Sequence, residues 1–334
     1  MSPTARVLAG MAIVALTNGC SASLPSGTAA ASLPSGMTGA GVPLGTAAAS
    51  STRMTTIVPS WMRLAPPRAS GPGWISPAAR GKRLLFVANY NDNVVEIYKA
   101  EGSNQSPIGQ ITSGISGPEG MTVAKKFLYV SNTSSNTVSV YRVGKTTPVK
   151  TYSQDLSGPA DVAVGTDGTV YVSNLFGNDV IAYANGSMSP TATYSGLDFP
   201  IGVTLDAAND LYVTYTAGIE EFPSGSTSGK NLGISLATAS GIAIDPEDDI
   251  VVANQMPAGV YVYPQGTTQP STIFGQEGDP NPIAFLKDRQ ELFVGEPLSN
   301  TVNVYAYPSG TKVNSVTTGV NFPAGVAVSP AAPF

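Results

Sequence analysis

Histidine is absent from this 334-residue chain. That absence narrows the chemistry more than any motif present. Serine–histidine and cysteine–histidine nucleophilic systems need an imidazole base, and histidine-ligated zinc, copper and iron sites need its ring nitrogens. Lyases and quinone-dependent dehydrogenases that rely on a catalytic histidine fall on the same ground. Cysteine occurs once, at Cys20, so no disulfide forms within the chain and stability must come from packing. Charged residues make up 12% of the chain, about half the ordinary quarter. Ser, Thr, Asn and Gly cover the surface instead, as suits exported β proteins. No phosphate-cradling or dinucleotide-type glycine loop appears. Acid is missing from residues 1–91, which hold seven of the 17 Lys and Arg; residues 92–334 hold the other ten and all 22 acids, a net charge of −12. A region so acidic does not neutralise phosphates, which argues against a nucleic-acid partner.

The N-terminus reads as an export signal. Arg6 precedes an apolar run at 7–16 that is too short to span a bilayer, followed by Thr17-Asn18-Gly19-Cys20. This resembles a bacterial lipoprotein signal, which implies lipidation at Cys20; the alternative is ordinary cleavage a few residues on. Residues 21–80 are low in complexity, with Ser23-Leu24-Pro25-Ser26-Gly27 recurring at 32–36. Such tracts bury too little apolar area to offset ordering entropy, and read as a flexible tether. The exception is residues 61–75, which hold both tryptophans, Trp61 and Trp74; Trp74-Ile75 is expected to dock on the folded domain. Arg53, Arg63, Arg68 and Arg80 could lie on anionic phospholipid or cell-wall phosphate, or on the acidic domain itself.

From residue 81 the chain repeats. Phe86-Val87-Ala88-Asn89, Tyr129-Val130-Ser131-Asn132, Tyr171-Val172-Ser173-Asn174, Tyr212-Val213-Thr214-Tyr215, Val251-Val252-Ala253-Asn254 and Phe293-Val294-Gly295-Glu296 align, their last residues 43, 42, 41, 39 and 42 positions apart. A period near 40 built from short β-type runs means a radial array of four-stranded sheets. A run that starts Pro118-Glu119-Gly120 precedes the second copy. It recurs at 159–164, 200–205, 239–244, 280–285 and 323–328, alternating large and small residues as the innermost strand (A) requires. The strand-B phrases above are followed by a third run (C) that ends on an aromatic, then a ragged fourth (D) expected at 108–112, 149–152, 192–195, 232–235, 272–275 and 313–316. The first copy lacks strand A and the last run has nothing after it. The two complete one another, predicting an all-β, six-bladed β-propeller over 81–334 with four-stranded antiparallel blades, blade 1 being closed by the C-terminal strand.

The motifs at 118–123, 128–132 and 136–141 resemble the YVTN/NHL-type repeat propellers over residues 82–334. That resemblance implies the fold. For activity it implies only a range: interaction modules, sugar-lactone hydrolases and surface proteins. Through its fold and its Pro-x-Gly starts the chain also resembles the six-bladed gluconolactonase-like enzymes, which implies a hard cation such as Ca²⁺ held by acids and asparagines, polarising a lactone carbonyl while a carboxylate activates water.

By topology, strand A starts and strand B ends at one mouth of the central channel. From strand A come Glu119, Asp161, Ser240 and Asn281; from strand B come Asn89, Asn132, Asn174, Asn254, Tyr215 and Glu296. Glu119, Asp161, Asn281 and Glu296 are the candidate metal ligands. The bland reading of the recurrent asparagines is turn formation; for Glu119 and Asp161 it is a solvated rim. Asp206 with Asp210, and Asp245 with Glu247, Asp248 and Asp249, lie at A–B turns on the opposite face, where turn chemistry accounts for them and a weak surface Ca²⁺ site is the alternative. Asn104, Asn132 and Asn185 are glycosylation sequons, coincidental in a bacterial lipoprotein. Together these features lead to an exported, lipid-anchored, monomeric propeller that binds a protein or glycan ligand on a face or at the channel mouth. A Ca²⁺-dependent lactonase and a structural surface protein are the alternatives.

Overall fold

The structure is a computed structural model and describes residues 71–102, 105–286 and 290–329. The expected signal peptide and Cys20, the tether to residue 70 with Trp61, Arg53, Arg63 and Arg68, and the sequon residue Asn104 lie outside them. Among the described residues no helix is long and apolar enough to cross a membrane.

Among the described residues, twenty-five strands form six sheets. In blade 1, β1 (Trp74–Ile75), β4 (Gly109–Ile111), β3 (Val94–Lys99) and β2 (Leu84–Asn89) run inward to β25 (Pro323–Val328). Blade 2 is β5 (Pro118–Ala124), β6 (Phe127–Asn132), β7 (Thr137–Arg142) and β8 (Pro148–Tyr152). Blade 3 is β9 (Pro159–Val164), β10 (Val170–Asn174), β11 (Asp179–Tyr183) and β12 (Ala192–Ser195). Blade 4 is β13 (Val203–Leu205), β14 (Leu211–Tyr215), β15 (Gly218–Phe222) and β16 (Lys230–Asn231). Blade 5 is β17 (Ala239–Ile244), β18 (Ile250–Gln255), β19 (Ala258–Tyr263) and β20 (Thr272–Phe274). Blade 6 is β21 (Ile283–Phe285), β22 (Glu291–Glu296), β23 (Thr301–Ala306) and β24 (Thr311–Val316). The inner strands touch in a closed circuit, β25 to β5, β9, β13, β17, β21 and back to β25. This is a six-bladed propeller whose first blade is closed by the C-terminal strand: β25 pairs antiparallel with β2, Phe86 opposite Ala327.

The core lies in the six seams between blades. Successive residues of a strand face opposite sides of the sheet, so β2 sends Leu84, Phe86 and Ala88 into the seam with blade 2 and Leu85 and Val87 into the seam with blade 6. The B and C strands are buried on both faces and therefore read as near-continuous apolar runs. Inner strands pack so closely that a Cβ on Gly325 would stand 1.9 Å from the Glu119 carbonyl oxygen, and one on Gly202 2.2 Å from that of Ser240. The glycine of the Pro-x-Gly start is thus the residue that lets neighbouring blades meet.

The larger departures from expectation lie in blades 4 and 6. Strands β13 and β21 begin three residues late, although backbone bonding continues ahead of them through Ile201 N–H to the Thr214 carbonyl and Asn281 N–H to that of Gly295. The fourth strand of blade 4 is Lys230–Asn231 rather than 232–235. Asn231 Oδ1 accepts the N–H of Gly233, whose φ of +72° turns the chain away. Trp74–Ile75, at the end of the expected tether, pair with β4 as a fifth strand. The docking is through the backbone and Ile75; the Trp74 side chain is 48% exposed.

Candidate functional site: a carboxyl pair at the axial opening

The B–C turns and D–A loops meet at one end of the propeller, here the upper face, and the recurring side chains there are fasteners. Each asparagine that ends a B strand is buried. Asn132 Oδ1 accepts the Ser116 N–H at 3.0 Å, Asn254 Oδ1 that of Thr238 at 3.1 Å and Asn89 Oδ1 that of Asn321 at 3.1 Å. Asn174 receives the Ser157 N–H and donates to the Asp155 carbonyl and to Asp179. Each thus clamps the loop entering its own blade. Glu296 stands in the same place in blade 6: its Oε2 accepts the Asp279 N–H at 2.5 Å and its Oε1 faces Asn303 Nδ2 at 3.4 Å. The expected open ring is corrected accordingly. Asn89, Asn132, Asn174, Asn254 and Glu296 turn into their own blades. Tyr215 turns outward to Glu220 and Asn231, and Ser240 is buried, donating to the carbonyls of Ala253 and Asn281.

A second asparagine series was missed by sequence reasoning. Asn93, Asn136, Asn178 and Asn300 start the C strands with φ between +55° and +60°, a conformation asparagine tolerates well among non-glycine residues. Their Oδ1 atoms accept the N–H of Gly117, Gly158, Phe199 and Phe322, each in the following blade. The signal was visible: an asparagine four residues after the first, in the Asn-Thr-Val-Ser-Val-Tyr run. The tyrosine that closes the apolar run of the C strand in blades 1 to 3 has a similar use. Tyr98 and Tyr141 donate to the carbonyls of Thr318 and Ser113 at 2.9 and 2.7 Å, and Tyr183 to that of Gln154.

Glu119 and Asp161 are the exceptions. They belong to the inner strands β5 and β9 and interact electrostatically across the seam between blades 2 and 3. Asp161 replaces the glycine of its repeat, and its carboxylate props the next seam open: Oδ1 accepts the Val162 N–H at 2.8 Å and Oδ2 the Val203 N–H of blade 4 at 3.1 Å. A Cβ on Gly120 would lie 2.1 Å from Asp161 Oδ1, so these two positions constrain one another. Thr133 interacts with Glu119 and donates to the Pro159 carbonyl at 2.8 Å. By surface area both acids are half-buried, yet protein surrounds them. Burial pushes Glu119 up to about 8; Thr133 opposes the shift and Asp161 adds to it. Burial likewise pushes Asp161 up to about 7 against the two N–H donors. Glu296 is raised to about 7 by burial, against the Asp279 N–H.

Of the four candidate ligands, then, Glu119 and Asp161 come together. Asn281 lies on blade 6 with its main chain tied to Gly241 and Gly295, and Glu296 is spent on Asp279. Among the described residues no three acids or cysteines are placed to share an ion, whereas a Ca²⁺ ion takes about six to eight oxygens. The donor set does not fit the implied cation. On the opposite face, Asp206 and Asp245 each accept two backbone N–H groups of their own A–B turns. They border a cavity of about 520 Å³ with Thr166, Asn209 and Asp248.

No family model and no curated protein matches the chain. Its fold is shared with 1452 solved chains, so architecture alone selects no activity. One of them, from the crystal structure of a nidogen/laminin complex, superposes with a TM-score of 0.61 at 16% identity, covering 75% of this chain and 99% of the other. At that identity the likeness concerns the fold.

Proposed function

We propose that this protein is an exported, lipid-anchored propeller that binds a protein partner on its upper face. The observation that carries this reading is the use made of the polar residues that recur from blade to blade. Blade after blade, they fix the B–C turns and D–A loops to one another, which holds the upper face as a rigid platform rather than arranging a reacting centre. The two exposed apolar side chains of its B–C turns, Phe176 and Leu298, stand proud of that platform as contact points. The structural neighbour drawn from a protein complex supports a protein partner, and the lipoprotein-like N-terminus supports anchoring at Cys20. A photo-crosslinking residue at position 298 or 176, with one at Met188 on the opposite end as control, tests it in cells. Discrete adducts from 298 and 176 alone are expected. Adducts from 188 alone, or from none, contradict the reading; a Cys20→Ser protein that stays membrane-bound contradicts the anchor.

A further inference from the structure

The cations of the propeller are sorted by face, whereas its acids lie at both ends, Asp167, Asp206, Asp210, Asp245, Glu247, Asp248 and Asp249 standing in turns opposite the upper face. Asp92, Glu119, Asp155, Asp161, Asp179, Asp198, Glu277, Asp279 and Glu296 all fall in the B–C turns, D–A loops and strand ends of the upper face, and those segments contain no Lys or Arg. Of the described cations, Arg80, Lys82, Arg83, Lys99, Lys125, Lys126, Arg142 and Lys145 lie at the opposite end and Lys150, Lys230 and Lys312 on outer strands. Among the described residues nothing of opposite sign is therefore built into the seam where Glu119 and Asp161 meet.

A separate observation lies in the same seam. The hydroxyls at the third position of the strand-B phrase act as struts between blades: Ser173 donates to the Ile201 carbonyl at 2.5 Å and Thr214 to that of Ser240 at 2.7 Å. Ser131 is their counterpart in blade 2. It stands opposite the Glu119-Gly120 bulge, on the side of the sheet from which Thr133 reaches Pro159 of blade 3. It is fully buried, and its Oγ has no hydrogen-bond partner. A buried polar atom left unpaired is costly, and this one stands on the strand paired with the bulge that carries Glu119.

We infer that the opening over blades 2 and 3 receives a cationic side chain, lysine or arginine, from a basic segment of the partner protein. This rests on the binding-platform reading and names the partner's chemistry. Carboxylates and hydroxyls are acceptors, so the ligand they suit is rich in N–H donors and positively charged. The remaining acids are spread over blades 1, 3, 4 and 6 instead of converging on a point, which suits an extended basic chain better than a metal ion. Attraction over the whole face steers such a chain, and the pair at the opening holds one of its side chains.

The test uses the full chain and a short fluorescent peptide of alternating lysine and serine, with a glutamate–serine peptide as control, read by anisotropy. Expected results are binding of the lysine peptide alone, weakening steeply with salt. Near pH 9, where Glu119 is ionised, Glu119→Gln should weaken it about tenfold, the loss of one close charge contact. The rim variant D155N/D198N/E277Q, which leaves the pair intact, should weaken it with a shallower salt dependence. Equal binding of both peptides, unchanged affinity in both variants, or displacement of the lysine peptide by micromolar Ca²⁺ would overturn the inference. Crosslinks at 298 and 176 without lysine-peptide binding would leave the platform reading standing and remove only its chemistry.

Discussion

Raising the pH should loosen this propeller, and Glu119 should account for a separable share of the loss. In the folded chain Glu119 is raised from 4.5 to about 8, chiefly by burial. At acid pH the carboxyl is protonated in both states and costs nothing. Between the two values the folded state keeps a proton that the unfolded chain has released, so stability falls as pH climbs through about 8. A tenfold change in proton affinity is worth about 1.4 kcal/mol. The residue is half-buried by surface area, so solvent screening reduces the effect, and about 2 kcal/mol is the contribution expected from this group. Asp161, Glu296 and Asp279 are shifted the same way and steepen the slope. Glutamine mimics the protonated acid. Urea unfolding near pH 5 should therefore give Glu119→Gln and wild type the same midpoint, while near pH 9 the variant should be the more stable by about 2 kcal/mol. A wild type that gains stability from pH 5 to 9, or a variant weaker than wild type at pH 9, refutes the assignment of Glu119 as a desolvated acid.

Asn132→Ala strips a buried loop N–H of its acceptor, and a melting experiment should show a loss of about 1–3 kcal/mol; Asn185→Ala, in an exposed turn, should be neutral. Deleting residues 322–334 removes β25 with buried Val326 and exposes the β2 edge, costing roughly 3–6 kcal/mol. A soluble monomeric truncation with an unchanged melting point argues against closure. Chelator should leave the melting temperature unchanged; a rise of several degrees on adding Ca²⁺ would restore the cation reading.

How much of this was legible beforehand depends on which force acts. The repeat period, the alternation of the inner strands and the complementary chain ends all express packing around an axis, and packing leaves a periodic trace. Blade 4's last strand was misplaced because the outer strand buries little, and one asparagine–glycine contact, Asn231 to Gly233, decided its limits. The site was read less well for a different reason. Topology puts Glu119, Asp161, Asn281 and Glu296 at one end of the molecule, but orientation separates them. Glu296 takes the asparagine position and inherits its loop-clamping geometry, whereas Asp161 takes the glycine position and reaches into a seam. That distinction was present in the alignment of repeats, since Asp161 lies one residue beyond the position of Glu119. Ser131 could not be singled out, because its phrase is the same as that of Ser173, yet Ser173 reaches a carbonyl of the next blade and Ser131 does not.

The central claim is that Glu119 and Asp161 stand as a carboxyl pair without a counter-charge at the axial opening. Carbon-13 NMR of the side-chain carboxyls, followed through a pH titration of the native protein and assigned with Glu119→Gln, measures it directly. The account predicts that Glu119 titrates near 8 and Asp161 near 7, and that both move down when the lysine peptide is bound. Both groups titrating near 4, with or without peptide, would contradict it.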